Sequence, residues 1–251
     1  YDLKMIGSWF LASTPQDYNT SAPLFPETSK DLGLTYGFNR AKIAWYSIDD
    51  NFYTPSAPSN ITNNDKSQPY ARPIKETEIR PNKKIPQGQI QTLREFNIAY
   101  YPSERGPYNF DTLSAYSAGL NPDGTLRAPE TRWGGIMRKL ESTDFEATNI
   151  EYIEFWLMDP FIENPYHSGG KLYFNLGEVS EDILRDGRKS FENGLPISSE
   201  IIDVDSTIWG RVPKLQAVVN AFSNDPQSRQ YQDIGYDGLS STDERNYHQT
   251  F

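Results

Sequence analysis

The chain has five strand-like segments, and alternating side chains define two faces in four of them. In residues 150–160, Ile153, Phe155 and Leu157 fall on one side of such a segment, because successive side chains of a strand point to opposite faces. Residues 38–48, 94–102 and 171–177 alternate in the same way, and residues 132–140 are the fifth strand-like segment. Short strands at this spacing, separated by turn-rich sequence, predict an antiparallel sandwich of jelly-roll type.

Between the strands the pattern predicts turns, loops and a few helical turns. Asn121-Pro122-Asp123-Gly124 is a turn sequence, since proline presets one φ and glycine accepts a positive one. Residues 49–72 hold many Pro, Asn and Ser and are predicted to be loop. Apolar residues at helical spacing predict a short amphipathic helix over 212–222. Residues 178–194 are too charged for a strand and favour a short helix or an ordered loop.

The predicted fold class is therefore mainly β: an antiparallel jelly-roll-like β-sandwich with short helices and long irregular arms. Residues 1–95 form an irregular Pro-rich arm with short strands that pack on the core. Residues 96–187 form the β-sandwich core. Residues 188–251 form a tail with a short helix and an Asp/Gly-rich loop, which belongs either to the same domain or to a separate one.

Composition narrows the classes of function. The 251 residues contain no cysteine, which excludes disulfides and thiolate metal sites. A net charge of −10 makes nucleic acid and anionic membranes poor partners. No apolar run reaches the roughly 18 residues of a membrane-spanning helix. Aromatic residues make up 14% of the chain, and with 18 Pro and 17 Gly this composition is typical of an exported β-protein. We expect the chain to be an internal piece of a longer exported protein.

The candidate catalytic groups do not form a recognisable constellation. The two histidines, His167 and His248, both lie in polar, turn-like sequence, and no G-x-S-x-G motif is present. Glu151 and Glu154 are three residues apart in a predicted strand and therefore point to opposite faces, which prevents them from acting as a glycosidase pair. The sequence predicts a protein that is not an enzyme and has no catalytic residue.

A calcium loop is the one cofactor site that the spacing allows. In residues 233–244, Asp233, Asp237 and Glu244 occupy positions 1, 5 and 12 of an EF-hand-like loop. Gly235 at position 3 offers no side-chain ligand, and the neighbouring sequence does not predict flanking helices. A plain Asp/Gly-rich turn is the alternative interpretation, so calcium is retained only as a possible ligand, with no firm metal site.

The strongest candidate surface lies on the strands 150–160 and 171–177. Its residues are aromatic or charged and lie outside the two predicted apolar faces: Trp156, Tyr152, Tyr173 and Lys171. Exposed aromatic rings in a sandwich stack on sugar faces in some proteins and are covered by a second sheet or a neighbouring domain in others. Both interpretations stay open at this point.

Several long strings resemble the SprA/Sov family, the gliding-motility proteins that form the outer-membrane translocon of the type IX secretion system. They are NRAKIAWYSIDDNFY (39–53), FNIAYYPSERGPYNF (96–110), RWGGIMRKLESTDFEATNIEYIEFWLMDPF (132–161), GKLYFNLGEVSEDILRDG (170–187) and SRQYQDIGYDGL (228–239). The resemblance covers most of the chain. The charged stretch 75–95 departs from the family pattern.

The resemblance implies a structural role. Members form a very large outer-membrane β-barrel that exports folded cargo, with inserts that cap the barrel and contact partner proteins. It implies that this chain is a soluble insert at the outer membrane, on the extracellular or the periplasmic side, with a role in capping or gating cargo exit. The implied partners are the translocon barrel, its accessory outer-membrane proteins and secreted cargo. The alternative is a carbohydrate-binding jelly-roll module of a surface adhesin or polysaccharide-handling protein.

Overall fold

The computed structural model describes residues 4–16, 24–29, 33–88, 92–142, 144–183, 204–207, 210–213 and 227. The strands in these ranges are β1 (Phe10–Leu11), β2 (Ala41–Tyr46), β3 (Ile74–Lys75), β4 (Thr92–Leu93), β5 (Asn97–Arg105), β6 (Ile136–Met137), β7 (Val204–Thr207) and β8 (Gly210–Pro213). The α-helices are α1 (Asn63–Ser67) and α2 (Glu76–Ile79). Short 3-10 helices cover Ile6–Ser8, Pro26–Ser29, Gly33–Gly37, Asp50–Tyr53 and Pro129–Thr131. No helix within the described ranges has the length and apolar character needed to cross a bilayer.

The strands form small antiparallel sheets. Four pairs are present in the described ranges of the chain: β1 with β6, β2 with β5, β3 with β4, and β7 with β8. The prediction of a mostly non-helical chain with short antiparallel strands is confirmed. A sandwich needs two larger sheets that face each other, and the strands described here associate only as pairs.

The β2–β5 ribbon is the longest paired element and confirms two of the predicted strands. Trp45 lies opposite Ile98, and Ile43 lies opposite Tyr100. Such cross-strand pairs of aromatic and apolar side chains stabilise a two-stranded sheet. The register shifts between Ala41 and Lys42. Ala41, the first residue of β2, lies at this irregularity and is fully buried.

Backbone bonds tie this ribbon to the segment that precedes β6. The Ala41 N–H donates to the Trp133 carbonyl at 2.8 Å, and the Trp133 N–H donates to the Asn39 carbonyl at 3.1 Å. The Ala12 N–H donates to the Gly135 carbonyl at 2.9 Å next to the β1–β6 pair. Of the predicted strand 132–140, only Ile136–Met137 is paired as a strand. Ala12 and residues 39–41 therefore both pack against the segment 133–135.

The core of the described structure is polar as well as apolar. The Arg132 guanidinium and the Asp111 carboxylate are both fully buried and form an ion pair at 2.8 Å. Arg132 also donates to the carbonyls of Phe38 at 2.8 Å and Gly119 at 3.0 Å. Asn109 donates to the same Phe38 carbonyl at 3.0 Å. We call this set of residues the Arg132 network, and it joins the segment before β2 to the segments after β5.

The predicted turn is confirmed, whereas the predicted loop 49–72 includes two short helical segments. The Gly124 N–H donates to the Asn121 carbonyl at 2.9 Å, and Gly124 has φ of +84°, as the predicted turn requires. Residues 49–72 contain only α1 and one 3-10 helix. Thr62 begins α1 with a capping box, in which its side chain accepts from the Asp65 N–H and the Asp65 carboxylate accepts from the Thr62 N–H.

Two strong strand predictions are not realised as strands. Residues 151–159 and 171–176 run without helix, turn, bend or strand pairing. Their alternation is correct for strands, but a strand also needs a neighbour for its backbone groups, and no described segment supplies one. Residues 178–183 form no helix, and the remainder of 178–194 lies outside the described residues. The helix predicted over 212–222 begins inside β8, and its remaining residues lie outside them too.

Candidate functional site

The most unusual surface of the molecule is a long exposed segment, residues 151–179, which we call the apolar loop. Twenty-two large hydrophobic side chains are exposed in the described residues, and thirteen of them lie in this loop. Tyr152 is 82% exposed and Trp156 is 77% exposed. A large exposed apolar patch marks a protein or membrane interaction site, a ligand-binding groove or an aggregation-prone segment.

The apolar loop is attached to the folded body of the chain at its C-terminal end. Before the loop, the Ile150 N–H donates to the Phe145 carbonyl at 2.9 Å, which closes a local turn. After it, the Ser180 carbonyl accepts from the Ser13 hydroxyl at 2.7 Å. Ile183 then enters the core and is buried. The loop therefore returns to the folded core at its C-terminal end, and its apolar residues lie exposed before that point.

The tip of the apolar loop is a compact turn. The Asn164 N–H donates to the Phe161 carbonyl at 2.9 Å, and the His167 N–H donates to the Asn164 carbonyl at 3.0 Å. The Phe161 and His167 rings stack with their centroids 4.2 Å apart. His167 Nδ1 accepts from the Gly169 N–H at 2.9 Å, and Gly169 has φ of +87°. The turn reverses the chain, so that two runs of apolar residues flank it.

The two runs touch through aromatic rings. The Phe155 and Phe174 centroids are 5.3 Å apart, a distance that is typical of paired aromatic side chains. The residues predicted as an interaction face are all exposed: Trp156, Tyr152, Tyr173 and Lys171. The ring contact comes from the opposite side of each predicted strand. The two runs therefore lie side by side at this contact, like the arms of a hairpin whose strands are not paired.

The apolar loop carries net negative charge. Its five acidic residues are Glu151, Glu154, Asp159, Glu163 and Glu178, and its one basic residue is Lys171. All six side chains are exposed. The apolar surface is thus edged with carboxylates, a composition that favours contact with a basic partner.

The candidate catalytic residues that the structure describes are all exposed to solvent. Glu151 and Glu154 are exposed in the first run of the loop, and His167 is exposed at its tip. Within the described ranges, no three His, Asp or Glu residues come close enough together to hold a metal ion. The predicted calcium loop with Asp233, Asp237 and Glu244, and also His248, lie outside the described residues.

An apolar concavity beside the β2–β5 ribbon was not anticipated from the sequence. It has a volume of about 550 Å³, which is within the range of ligand pockets. Its walls are mainly apolar and aromatic, and include Tyr46, Phe52, Pro58, Ile61 and Tyr70. These residues come from the end of β2 and from the loop that follows it. Aromatic residues spread over a proline-rich loop are the sequence signal for this concavity, but their convergence depends on how the loop folds back.

No family model matches the chain, and no curated protein matches it. The resemblance to the SprA/Sov family therefore stays a prediction. The apolar loop is the structural feature from which a function can be argued.

Proposed function

We propose that this chain is a non-catalytic insert of an outer-membrane protein translocon of the SprA/Sov type. It acts through protein contacts that cap or gate the exit of cargo. The partners in this proposal are the translocon barrel, its accessory outer-membrane proteins and secreted cargo. The observation that carries the proposal is the apolar loop, which is exposed along its length and joined to the folded body at its C-terminal end.

Energetics support a contact role for the loop. Burial of apolar surface contributes about 25 cal/mol per Å², so a full Phe or Leu side chain contributes about 1.5–3 kcal/mol. Thirteen large side chains of the loop are exposed and therefore lack part of this stabilisation from burial. A partner that covers even its central residues, such as Phe155 and Trp156, recovers a substantial share of it.

The jelly-roll-like sandwich predicted from the sequence belongs to this proposal. The two runs of the apolar loop have the alternation of strands but lack paired neighbours among the described residues. When a partner sheet covers them, they supply the missing strands of a larger β-structure. The chain would then work as an insert at the outer membrane, on its extracellular or periplasmic side.

Site-specific photocrosslinking in cells that naturally contain the full-length protein tests the proposal. Benzoylphenylalanine is placed at Trp156 or Tyr173 in the loop, and at the exposed Asn82 as a matched control. We expect crosslinks at 156 and 173, but not at 82, to outer-membrane β-barrel proteins or to secreted cargo identified by mass spectrometry. Equal crosslinking at all three positions would contradict the proposal.

The second candidate function is carbohydrate binding, and it is favoured by one observation. The Trp156 and Tyr173 rings are both exposed, as sugar-stacking rings must be. A glycan array separates the two functions. Binding to a defined glycan that Trp156→Ala abolishes, while Phe161→Ala leaves it intact, would favour a carbohydrate-binding module over the translocon insert.

A further inference from the structure

The backbone of the apolar loop has the hydrogen-bonding capacity of an unpaired strand. Residues 151–159 and 171–176 run without helix, turn or bend. Within the described ranges of the chain, none of their N–H groups donates to a backbone carbonyl. A straight run of this kind offers a ladder of donors and acceptors to another strand.

The protein's own sheets do not use this ladder. Each described sheet has two strands, so every strand keeps one edge that pairs with no other described strand. The apolar loop nevertheless pairs with none of them. Its C-terminal end is held at the folded body of the chain through Ser180, whose carbonyl accepts from the Ser13 hydroxyl. The partner for the ladder must therefore come from outside the described structure.

The side chains of the first run indicate what kind of sheet fits. Ile153, Phe155 and Leu157 alternate with Tyr152, Glu154, Trp156 and Met158, so both faces of the run are largely apolar. Strands with two apolar faces are typical of positions covered on both sides. A partner that supplies a sheet edge together with apolar cover satisfies the backbone and the side chains at once.

Charge decides between a different protein and a second copy. The loop has five carboxylates and one lysine. Pairing two copies would place these carboxylates against one another, and like charges across a strand pair are destabilising. A sheet edge flanked by Lys and Arg side chains meets them with opposite charge.

We propose that the apolar loop binds by strand addition to an open, basic-flanked β-sheet edge of another protein. This inference rests on the proposed function, since it specifies how the loop makes its protein contact. Backbone hydrogen bonds provide affinity in this mode, and alternate side chains provide specificity. The carboxylates steer the loop to a basic edge and keep two copies of the chain apart.

The test uses the full 251-residue chain and three synthetic β-hairpins of equal length as probes. The first hairpin alternates Lys and Val on its outer strand. The second has Glu in place of Lys, and the third is the Lys hairpin with its outer amides N-methylated. Amide hydrogen exchange is measured for residues 152–158 and 172–176. We expect the Lys hairpin to slow alternate amides about ten-fold or more, because only alternate residues of a strand bond to a given neighbour.

A matched pair of variants isolates the charge. Glu154→Lys reverses one carboxylate within the loop, whereas Glu130→Lys reverses an exposed carboxylate in the 3-10 helix Pro129–Thr131. We expect Glu154→Lys to weaken the protection given by the Lys hairpin several-fold, as expected for one charge pair near a surface. Glu130→Lys should leave that protection unchanged.

Each other outcome overturns the inference. Absence of protection with the Lys hairpin rules out strand addition, and equal protection by the Glu hairpin rules out the basic edge. Protection that grows with protein concentration alone identifies a second copy as the partner. If the N-methylated hairpin protects equally well, the contact is made by side chains only. Crosslinks at Trp156 without hairpin protection would leave the proposed function standing and remove strand addition alone.

Discussion

The Arg132 network and the apolar loop distribute polarity in opposite ways. In the network, a fully buried Arg132–Asp111 pair is surrounded by buried Asn109 and by backbone carbonyls. In the loop, residues such as Phe155 and Trp156 remain largely exposed. The interior of the described structure therefore contains charged groups, while its most apolar segment lies at the surface.

The difference separates two sources of order. A buried ion pair is costly to leave with either partner unpaired, so the Arg132 network favours a single specific arrangement of the segments that it joins. The apolar loop has no comparable constraint among the described residues. In the proposed function, its order depends on cover that a partner provides. The described contacts fix the first region internally, whereas external contact is what we propose for the second.

The first prediction removes Arg132, the central residue of the Arg132 network. Arg132→Met leaves Asp111 buried without its cation, and we expect a loss of about 3–5 kcal/mol in the free energy of unfolding. Urea denaturation measures it. Arg127→Met is the control, because Arg127 is exposed and makes a 3.3 Å contact with Asn121. A loss below about 0.5 kcal/mol for Arg132→Met, the range of ordinary surface substitutions, would contradict this role.

A second prediction compares a buried apolar residue of the core with an exposed one of the apolar loop. Leu126 is 2% exposed, so Leu126→Ala should lower the free energy of unfolding by about 2–5 kcal/mol through lost burial and a residual cavity. Trp156→Ala removes a larger side chain from the loop and should change it by less than about 0.5 kcal/mol. Thermal and urea unfolding of both variants provide the measurement. A larger loss for Trp156→Ala than for Leu126→Ala would reverse the assignment of core and contact surface.

A third prediction probes the close packing of β2 on the segment after β5. A Cβ at Gly106 would overlap the carbonyl group of Ala41, so Gly106→Ala should cost about 1–3 kcal/mol of stability. Gly7→Ala serves as the matched control, because a Cβ at Gly7 would enter open space. Equal unfolding midpoints for the two variants would show that the segment does not pack as described.

The smallest expected effect is a pH dependence in the polar core. Burial raises the pKa of Glu27, while its Oε1 accepts from Trp133 Nε1 at 3.1 Å. The folded state therefore binds the Glu27 proton more tightly than the unfolded state. This contribution to stability is complete below the ordinary glutamate pKa and is lost as pH rises through the higher folded value. Glu27→Gln should flatten the decline of stability over this range.

Glu78 supplies a control of opposite sign. Its hydrogen bonds with Arg72 lower the pKa of the Glu78 carboxyl to about 2. Its contribution is therefore present above the ordinary pKa and is lost as pH falls toward that value. Urea unfolding between pH 3 and about 7 compares Glu27→Gln with Glu78→Gln. Parallel pH profiles for the two variants would contradict the burial of Glu27.

Local sequence was sufficient for elements whose partners lie within the described chain. The alternation in 38–48 and 94–102 predicted β2 and β5, and the Asn121–Gly124 turn followed from its proline and glycine. The strands predicted at 150–160 and 171–177 had equally clear alternation. Alternation indicates which side chains a strand would place on each face. Strand pairing also needs a neighbouring strand, and local sequence does not encode whether that neighbour is present.

The polar interior could not be predicted from sequence for a different reason. Arginine and aspartate are rarely buried, so Arg132 and Asp111 read as surface residues. Their burial depends on the convergence of Phe38 with Ser117 and Gly119, which lie far from Phe38 in the chain. Trp156 of the predicted interaction face is exposed, and the ring contact in the structure joins Phe155 and Phe174 on the opposite side of the two runs.

Amide hydrogen exchange of the isolated chain tests the contrast between the two regions most directly. The amides of Ala41, Gly106 and Trp133 donate to backbone carbonyls in the core, and we predict that they exchange about a thousandfold or more slowly than unstructured amides, as for sites opened by global unfolding. The amides of Phe155 and Phe174 should exchange near unstructured rates. Protection of these two amides to the level of Trp133 would contradict the account, because the loop would then be paired without a partner.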